Sequence, residues 1–148
     1  MKLTSKFTVI FIMLLSAGIL SFTFLTKSDN PFSEEYLIEP AELARILNSS
    51  TAKQPVIFNL GPMQHIKGSV NVGIGNSTAG MNQLQAKVSK LNKNQFIVIY
   101  CGCCAMQNCP NIKQPYEFLK NAGFDNFKIL NIKTSLSEDW VNKGYPMN

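Results

Sequence analysis

The chain of 148 residues is short of the side chains from which His-based metal sites and bidentate anion sites are built: it has a single His, His65, and a single Arg, Arg45. One His cannot make a multi-His metal centre. Acidic residues number only 9 and there is no Gly-rich phosphate loop, which argues against a glycosidase and a nucleotide enzyme. Positive charge of one sign is also scarce where it would matter. The formal net charge is +5, but Lys2, Lys6 and Lys27 all flank the apolar N-terminal stretch, and from Ser28 onward 11 basic residues stand against 9 acidic ones. That balance of +2, without a Lys/Arg run, leaves no electrostatic footprint for nucleic acid. Internal repeats and low-complexity tracts are missing too. Cysteines spread along the chain are absent as well, so a disulfide framework is excluded.

What is present begins with a long hydrophobic segment. Phe7 to Thr26 holds 20 residues without a charge, enough for about 30 Å of helix at about 1.5 Å per residue. The segment, residues 1–27, reads as a signal peptide or an N-terminal apolar membrane helix. Ser16-Ala17-Gly18 offers a small-residue cleavage site, yet cutting there leaves the apolar Ile19-to-Leu25 stretch as the mature terminus. Lys2 and Lys6 precede the run, which favours a cytoplasmic N-terminus with the remaining chain exported, periplasmic or anchored outside the inner membrane. Residues 28–34 read as a polar linker and 35–147 as one domain.

Within that domain strand and helix signals alternate. Pro40 to Leu47 starts with a first-turn proline and carries Leu43, Ile46 and Leu47 at helical spacing. Pro55–Phe58 reads as a buried strand, and Met81 to Leu91 as a helix with Met81, Leu84, Val88 and Leu91 on one face. Phe96–Tyr100 is apolar throughout, as expected of a strand covered on both sides. Tyr116 to Gly123 ends a helix in a glycine cap, and Phe127–Leu130 makes a further strand. This alternation implies an α/β fold with a central parallel sheet flanked by helices.

All four cysteines fall in nine residues, Cys101-Gly-Cys103-Cys104-Ala-Met-Gln-Asn-Cys109. The cluster follows the best strand directly, and in open α/β sheets ligands bind beyond the carboxyl ends of strands. The next helix is expected to start at Asn111 or at Pro115, with its free N–H groups aimed at the loop. Those groups would stabilise a thiolate or persulfide anion and lower a cysteine pKa. Three chemistries remain open on the residues alone: covalent sulfur transfer, dithiol–disulfide exchange through the Cys101/Cys104 C-x-x-C pair with a protein redox partner, and capture of Zn or Cu(I) by thiolates.

The order of these pieces resembles a rhodanese-like domain. The resemblance is carried by Phe96–Tyr100 with Cys101 at the strand end, by Leu119-Lys-Asn-Ala-Gly-Phe124 and by Asp139-Trp140-Val-Asn-Lys-Gly144-Tyr-Pro146. Upstream, His65-Ile-Lys-Gly68-Ser-Val-Asn71-Val72 is similar to the family's His-Ile-Pro-Gly-Ala motif and Pro40-Ala-Glu-Leu to its entry helix. Together they span about Leu37 to Pro146. Cys-Gly-Cys-Cys with the later Cys-Pro-Asn resembles a bacterial subgroup of that family. The resemblance implies a single rhodanese-like domain and a sulfurtransferase in which Cys101 takes sulfane sulfur from a small donor as a persulfide and yields it to a thiol acceptor, with no cofactor. Cys104 is expected to resolve the persulfide or pair with Cys101. The substrate-binding residues are expected to be Gly102, Cys103, Ala105, Met106, Gln107, Asn108, Cys109 and Lys113, and no residue is assigned to a metal. The loop departs from the family's pattern in length and in having no Arg or Lys, so an anionic donor loses its usual partner. Asn59-Leu60-Gly61 stands where many members have Asp-x-Arg. An inactive rhodanese scaffold that binds a partner is the remaining alternative.

Other residues have plainer readings. His65 is expected to make a structural hydrogen bond, Trp140, Phe118 and Phe127 to lie in the core, and Met63 and Met106 to fill gaps. Lys113 is the nearest replacement for the missing loop cation. A tyrosine-phosphatase reading needs an Arg six residues after Cys101, where Gln107 stands.

Overall fold

The structure is a computed structural model that describes residues 30–148; the expected signal or anchor at 1–27 lies outside the described residues. Five strands, β1 (Leu37–Ile38), β2 (Val56–Asn59), β3 (Ser69–Asn71), β4 (Ile97–Tyr100) and β5 (Phe127–Leu130), form one sheet in the order β1-β5-β4-β2-β3. Every pairing is parallel. Helix α1 (Pro40–Asn48) follows β1, α2 (Thr78–Val88) lies between β3 and β4, and α3 (Pro110–Asn121) joins β4 to β5. The single α/β domain expected from the sequence is therefore present.

Strand β4 occupies the middle of the sheet, and all four of its residues are buried, in keeping with its unbroken apolar run. The core around it includes Leu43 from α1, Phe58 from β2, Leu84 from α2, Leu119 from α3, Phe127 and Ile129 from β5, and Trp140. Trp140 and Phe127 are core residues as their plain reading has it, whereas Phe118 is only half-buried. The indole N–H of Trp140 donates to the Pro146 carbonyl at 3.1 Å. The same carbonyl accepts from the Lys67 backbone, and Ile66 bridges to Met147. The last residues thereby close over the 64–68 turn.

Several boundaries differ from the sequence expectation. Helix α2 begins at Thr78 and ends at Val88, because Ser77 caps it by accepting the Gly80 N–H at 3.0 Å; Leu91 falls beyond the helix. Helix α3 begins at Pro110, not at Asn111 or Pro115, since proline suits the first turn, where its missing N–H costs nothing. Pro115 lies inside the helix. It leaves the carbonyl of Asn111 without its helical donor, and that oxygen faces Gly75, where a Cβ would approach it to 2.1 Å. The end of the expected linker joins the domain: Phe32 is buried, with its ring centroid 5.1 Å from that of Tyr116. Gly123 ends α3 with φ of +74°, as its cap reading requires.

Candidate active site

The parallel register builds the site. Asn59 at the end of β2 pairs with Tyr100 at the end of β4, and the Leu60 N–H donates to the Tyr100 carbonyl at 2.7 Å. The next residues, Gly61 and Cys101, must therefore lie side by side. A Cβ on Gly61 would stand 2.5 Å from Cys101 Sγ and 2.9 Å from its carbonyl oxygen, so glycine is what allows this approach. Asn59 is fully buried and braces the turn: its Oδ1 accepts the Gly61 N–H at 3.0 Å and its Nδ2 donates to the Met63 carbonyl at 3.0 Å. A neutral amide serves here because both partners are backbone groups.

On the other side, Gly102 adopts φ of +81°, a left-handed conformation that turns the chain back on itself. Its carbonyl accepts the Leu136 N–H at 3.0 Å, and the Met106 N–H donates to the Ile132 carbonyl at 2.7 Å. The loop is thus tied to the segment after β5. A 3-10 turn, Met106–Asn108, leads to Cys109, which is the N-cap of α3. Met106 is buried, as a gap-filling Met would be, and Met63 is half-buried.

The four sulfurs gather at this point. Cys101 is 2% exposed and Cys109 4%, whereas Cys103 is exposed and Cys104 half-buried. Cys101 Sγ lies 3.2 Å from Cys103 Sγ, which in turn lies 3.5 Å from Cys104 Sγ and 3.8 Å from Cys109 Sγ. Asn111 Nδ2 donates to Cys101 Sγ at 3.2 Å. The thiol of Cys109 shares its proton with Cys101, burial opposes ionisation, and Asn111 and the Cys103 backbone N–H add donors; together they bring the Cys101 thiol down to about 5. The converse holds at Cys109, where donation to Cys101 and burial push the thiol far up. Partial desolvation of its sulfur by the surrounding loop, followed by its contacts to Cys101 and Cys104, pushes Cys103 up to about 12. At neutral pH Cys101 is therefore a thiolate beside protonated Cys103 and Cys109.

Of the residues singled out in the sequence, Cys101, Gly102, Cys103, Met106 and Cys109 converge on this point. Cys104 contacts Cys103, so the thiol adjacent to Cys101 is Cys103 and not the C-x-x-C partner. Ala105 is half-buried, while Gln107, Asn108 and Lys113 are exposed. The hydrogen bonds to Cys101 come from Asn111 and the loop, and Lys113 is not among their donors. His65 takes part through its backbone carbonyl, which accepts the Asn148 N–H at 3.0 Å. Asn111, Asn59 and Gly61 escaped the sequence reading as site residues. Asn111 was visible only as a cap candidate, and its side chain reaches the sulfur because the helix starts one residue earlier. Among the described residues, the Sγ atoms of Cys101, Cys103 and Cys109 all lie within 4.8 Å of one another, close enough to share one soft ion.

Curated protein sequences give no match. Among solved structures, a persulfide form of EanB in a tetrahedral intermediate state with ergothioneine is similar, at 18% identity and a TM-score of 0.53. The likeness covers 76% of this chain and 27% of that one, so the chain spans about a quarter of that protein's length. At such identity the likeness concerns the fold. A family model, the rhodanese-like domain, matches residues 34–138, which takes in the whole sheet, the three helices and the cysteine loop. With well over half of its length matched in this way, the chain belongs to the rhodanese-like domain family.

Proposed function

We propose that the domain is a sulfurtransferase in which Cys101 carries sulfane sulfur and gives it to a thiol acceptor. The observation that carries this reading is the environment of Cys101 Sγ: a buried sulfur at the end of the central strand, with the Asn111 side-chain amide donating to it at 3.2 Å, the Cys103 thiol at 3.2 Å and the Cys109 thiol within 4.8 Å. Such donors stabilise a thiolate, which is the nucleophilic form. They would serve a persulfide anion for the same reason. The thiolate attacks the outer sulfur of a donor R–S–SH; the Cys101–S bond forms, the donor's S–S bond breaks, and R–S⁻ leaves with the electron pair of that bond. A thiolate acceptor then attacks the bound outer sulfur and releases Cys101 as thiolate. Neither step consumes an oxidant or reductant. Membership of the rhodanese-like family and the persulfide named for the similar structure support this chemistry.

The donor is expected to be a low-molecular-weight persulfide or polysulfide and not an oxyanion such as thiosulfate, because residues 101–110 contain no Arg or Lys. A soft-metal thiolate site is the second reading, favoured by the three sulfurs within 4.8 Å. Incubation with a polysulfide in the presence of a chelator separates the two. Uptake of one sulfur per chain, lost in Cys101→Ser, supports transfer; retention of a metal with no uptake after its removal selects the metal site.

A further inference from the structure

Resting on the sulfur-transfer reading, we infer that Cys103 is a second catalytic thiol, which takes the sulfur from buried Cys101 and presents it to acceptors at the surface. Cys101 is walled in. Gly61 lies against its sulfur on one side, Asn111 and Cys109 on others, and all three are buried. The gap between the loop and β5, lined by Cys101, Cys109, Ile112 and Ile132 among others, has no room for a water molecule. These walls leave the side toward Cys103 as the approach to the Cys101 sulfur, so a peptide or protein thiol meets Cys103 first. Cys103 is the exposed neighbour, with its Sγ 3.2 Å from that of Cys101.

The left-handed turn at Gly102 accounts for the placement. In an extended chain Cys103 would point away along the strand direction, whereas φ of +81° at Gly102 folds it back over Cys101. Being exposed, the Cys103 side chain has room to move aside for an added sulfur atom and still remain in reach. Cys109 is buried and lacks that exit, and Cys104 contacts Cys103, not Cys101.

The step balances without an outside reagent. Cys103 passes its proton to the outer sulfur of the Cys101 persulfide and attacks that sulfur. The Cys103–S bond forms, the S–S bond to Cys101 breaks with its electron pair remaining on Cys101 Sγ, and the proton stays on the transferred sulfur as Cys103–S–SH. An acceptor thiolate then takes this sulfur, and Cys103 recovers a proton from solvent. A thiolate held by a hydrogen-bond donor, as Cys101 is by Asn111 Nδ2 at 3.2 Å, is the better leaving group.

The test loads wild type, Cys103→Ser and Cys103→Ala with a polysulfide, removes the excess, and follows discharge by glutathione and by cyanide using intact mass. Cyanide is small enough to reach a sulfur that a tripeptide cannot. The relay predicts that both variants take up sulfur, that cyanide still discharges them, and that discharge by glutathione slows by about tenfold or more, as when a positioned attack is lost. Glutathione discharge at the wild-type rate, or an equal slowing with both reagents, overturns the relay while leaving Cys101 loading intact. If wild type takes up no sulfur, the sulfur-transfer reading fails first and the relay with it.

Discussion

At Cys101 two opposing influences meet: burial, which disfavours a charged sulfur, and hydrogen-bond donors, which favour it. The donors prevail, with the Cys109 thiol first and Asn111 and the Cys103 backbone behind it. Cys101 is thus a thiolate above pH about 5, and its reactivity fades as pH falls through that value. Peptide-resolved alkylation of Cys101 against pH should show its inflection near there, well below the ordinary cysteine value of about 8.5. Cys109→Ala removes the largest contribution and should move the inflection upward; Asn111→Ala should move it the same way by less. An inflection unmoved in Cys109→Ala would show that the shared proton is not what holds Cys101 ionised. The cysteines themselves were legible in the sequence, since four in nine residues cannot serve a spread framework. Their pairing was not, because spacing alone suggested Cys104 and only the turn at Gly102 brings Cys103 closest.

The elements that matter are the end of β4, the turn after β2 and the first turn of α3. Strand β4 was legible because an unbroken apolar run needs cover on both faces, and β1 and β3 were not. β1 has two residues, and β3, Ser69–Asn71, is mostly exposed and carries no apolar alternation. The start of α3, expected at Asn111 or Pro115, lies at Pro110, which puts Asn111 in the first turn with its side-chain amide on the Cys101 sulfur. Gly102 is the joint between strand and loop. A Cβ there would meet Leu136 Cβ at 2.8 Å, in a backbone conformation that side chains other than glycine resist. Gly102→Ala is expected to cost about 1–3 kcal/mol of stability and to abolish sulfur uptake by unfolding the turn over Cys101. Denaturant midpoints check the first effect and intact mass the second; a variant of wild-type stability with full uptake would contradict the account of the joint.

For the whole molecule, the sheet order places β4 between β2 and β5, so the thiol loop is held by the turn after β2 and by the segment after β5. No helix among the described residues is long and apolar enough to cross a membrane. We propose that the uncharged stretch from Phe7 to Thr26 carries the domain out of the cytoplasm, with Lys2 and Lys6 retained inside. Fractionation followed by protease added to the outer face of the inner membrane should find the domain membrane-bound or periplasmic and open to cleavage; a protected, soluble cytoplasmic form contradicts this. In an oxidising compartment the thiol cluster would need a reducing partner to keep Cys101 available. The measurement that bears most directly on the central claim is the position of the bound sulfur. Reduced protein, loaded with a polysulfide and trapped by alkylation, is digested and its cysteine peptides are weighed. Because all four cysteines lie on one short segment, single Ser variants of Cys103, Cys104 and Cys109 are mapped alongside. The account predicts one added sulfur, retained in each of those variants and absent from Cys101→Ser. Loading that survives in Cys101→Ser and vanishes in Cys109→Ser would contradict it.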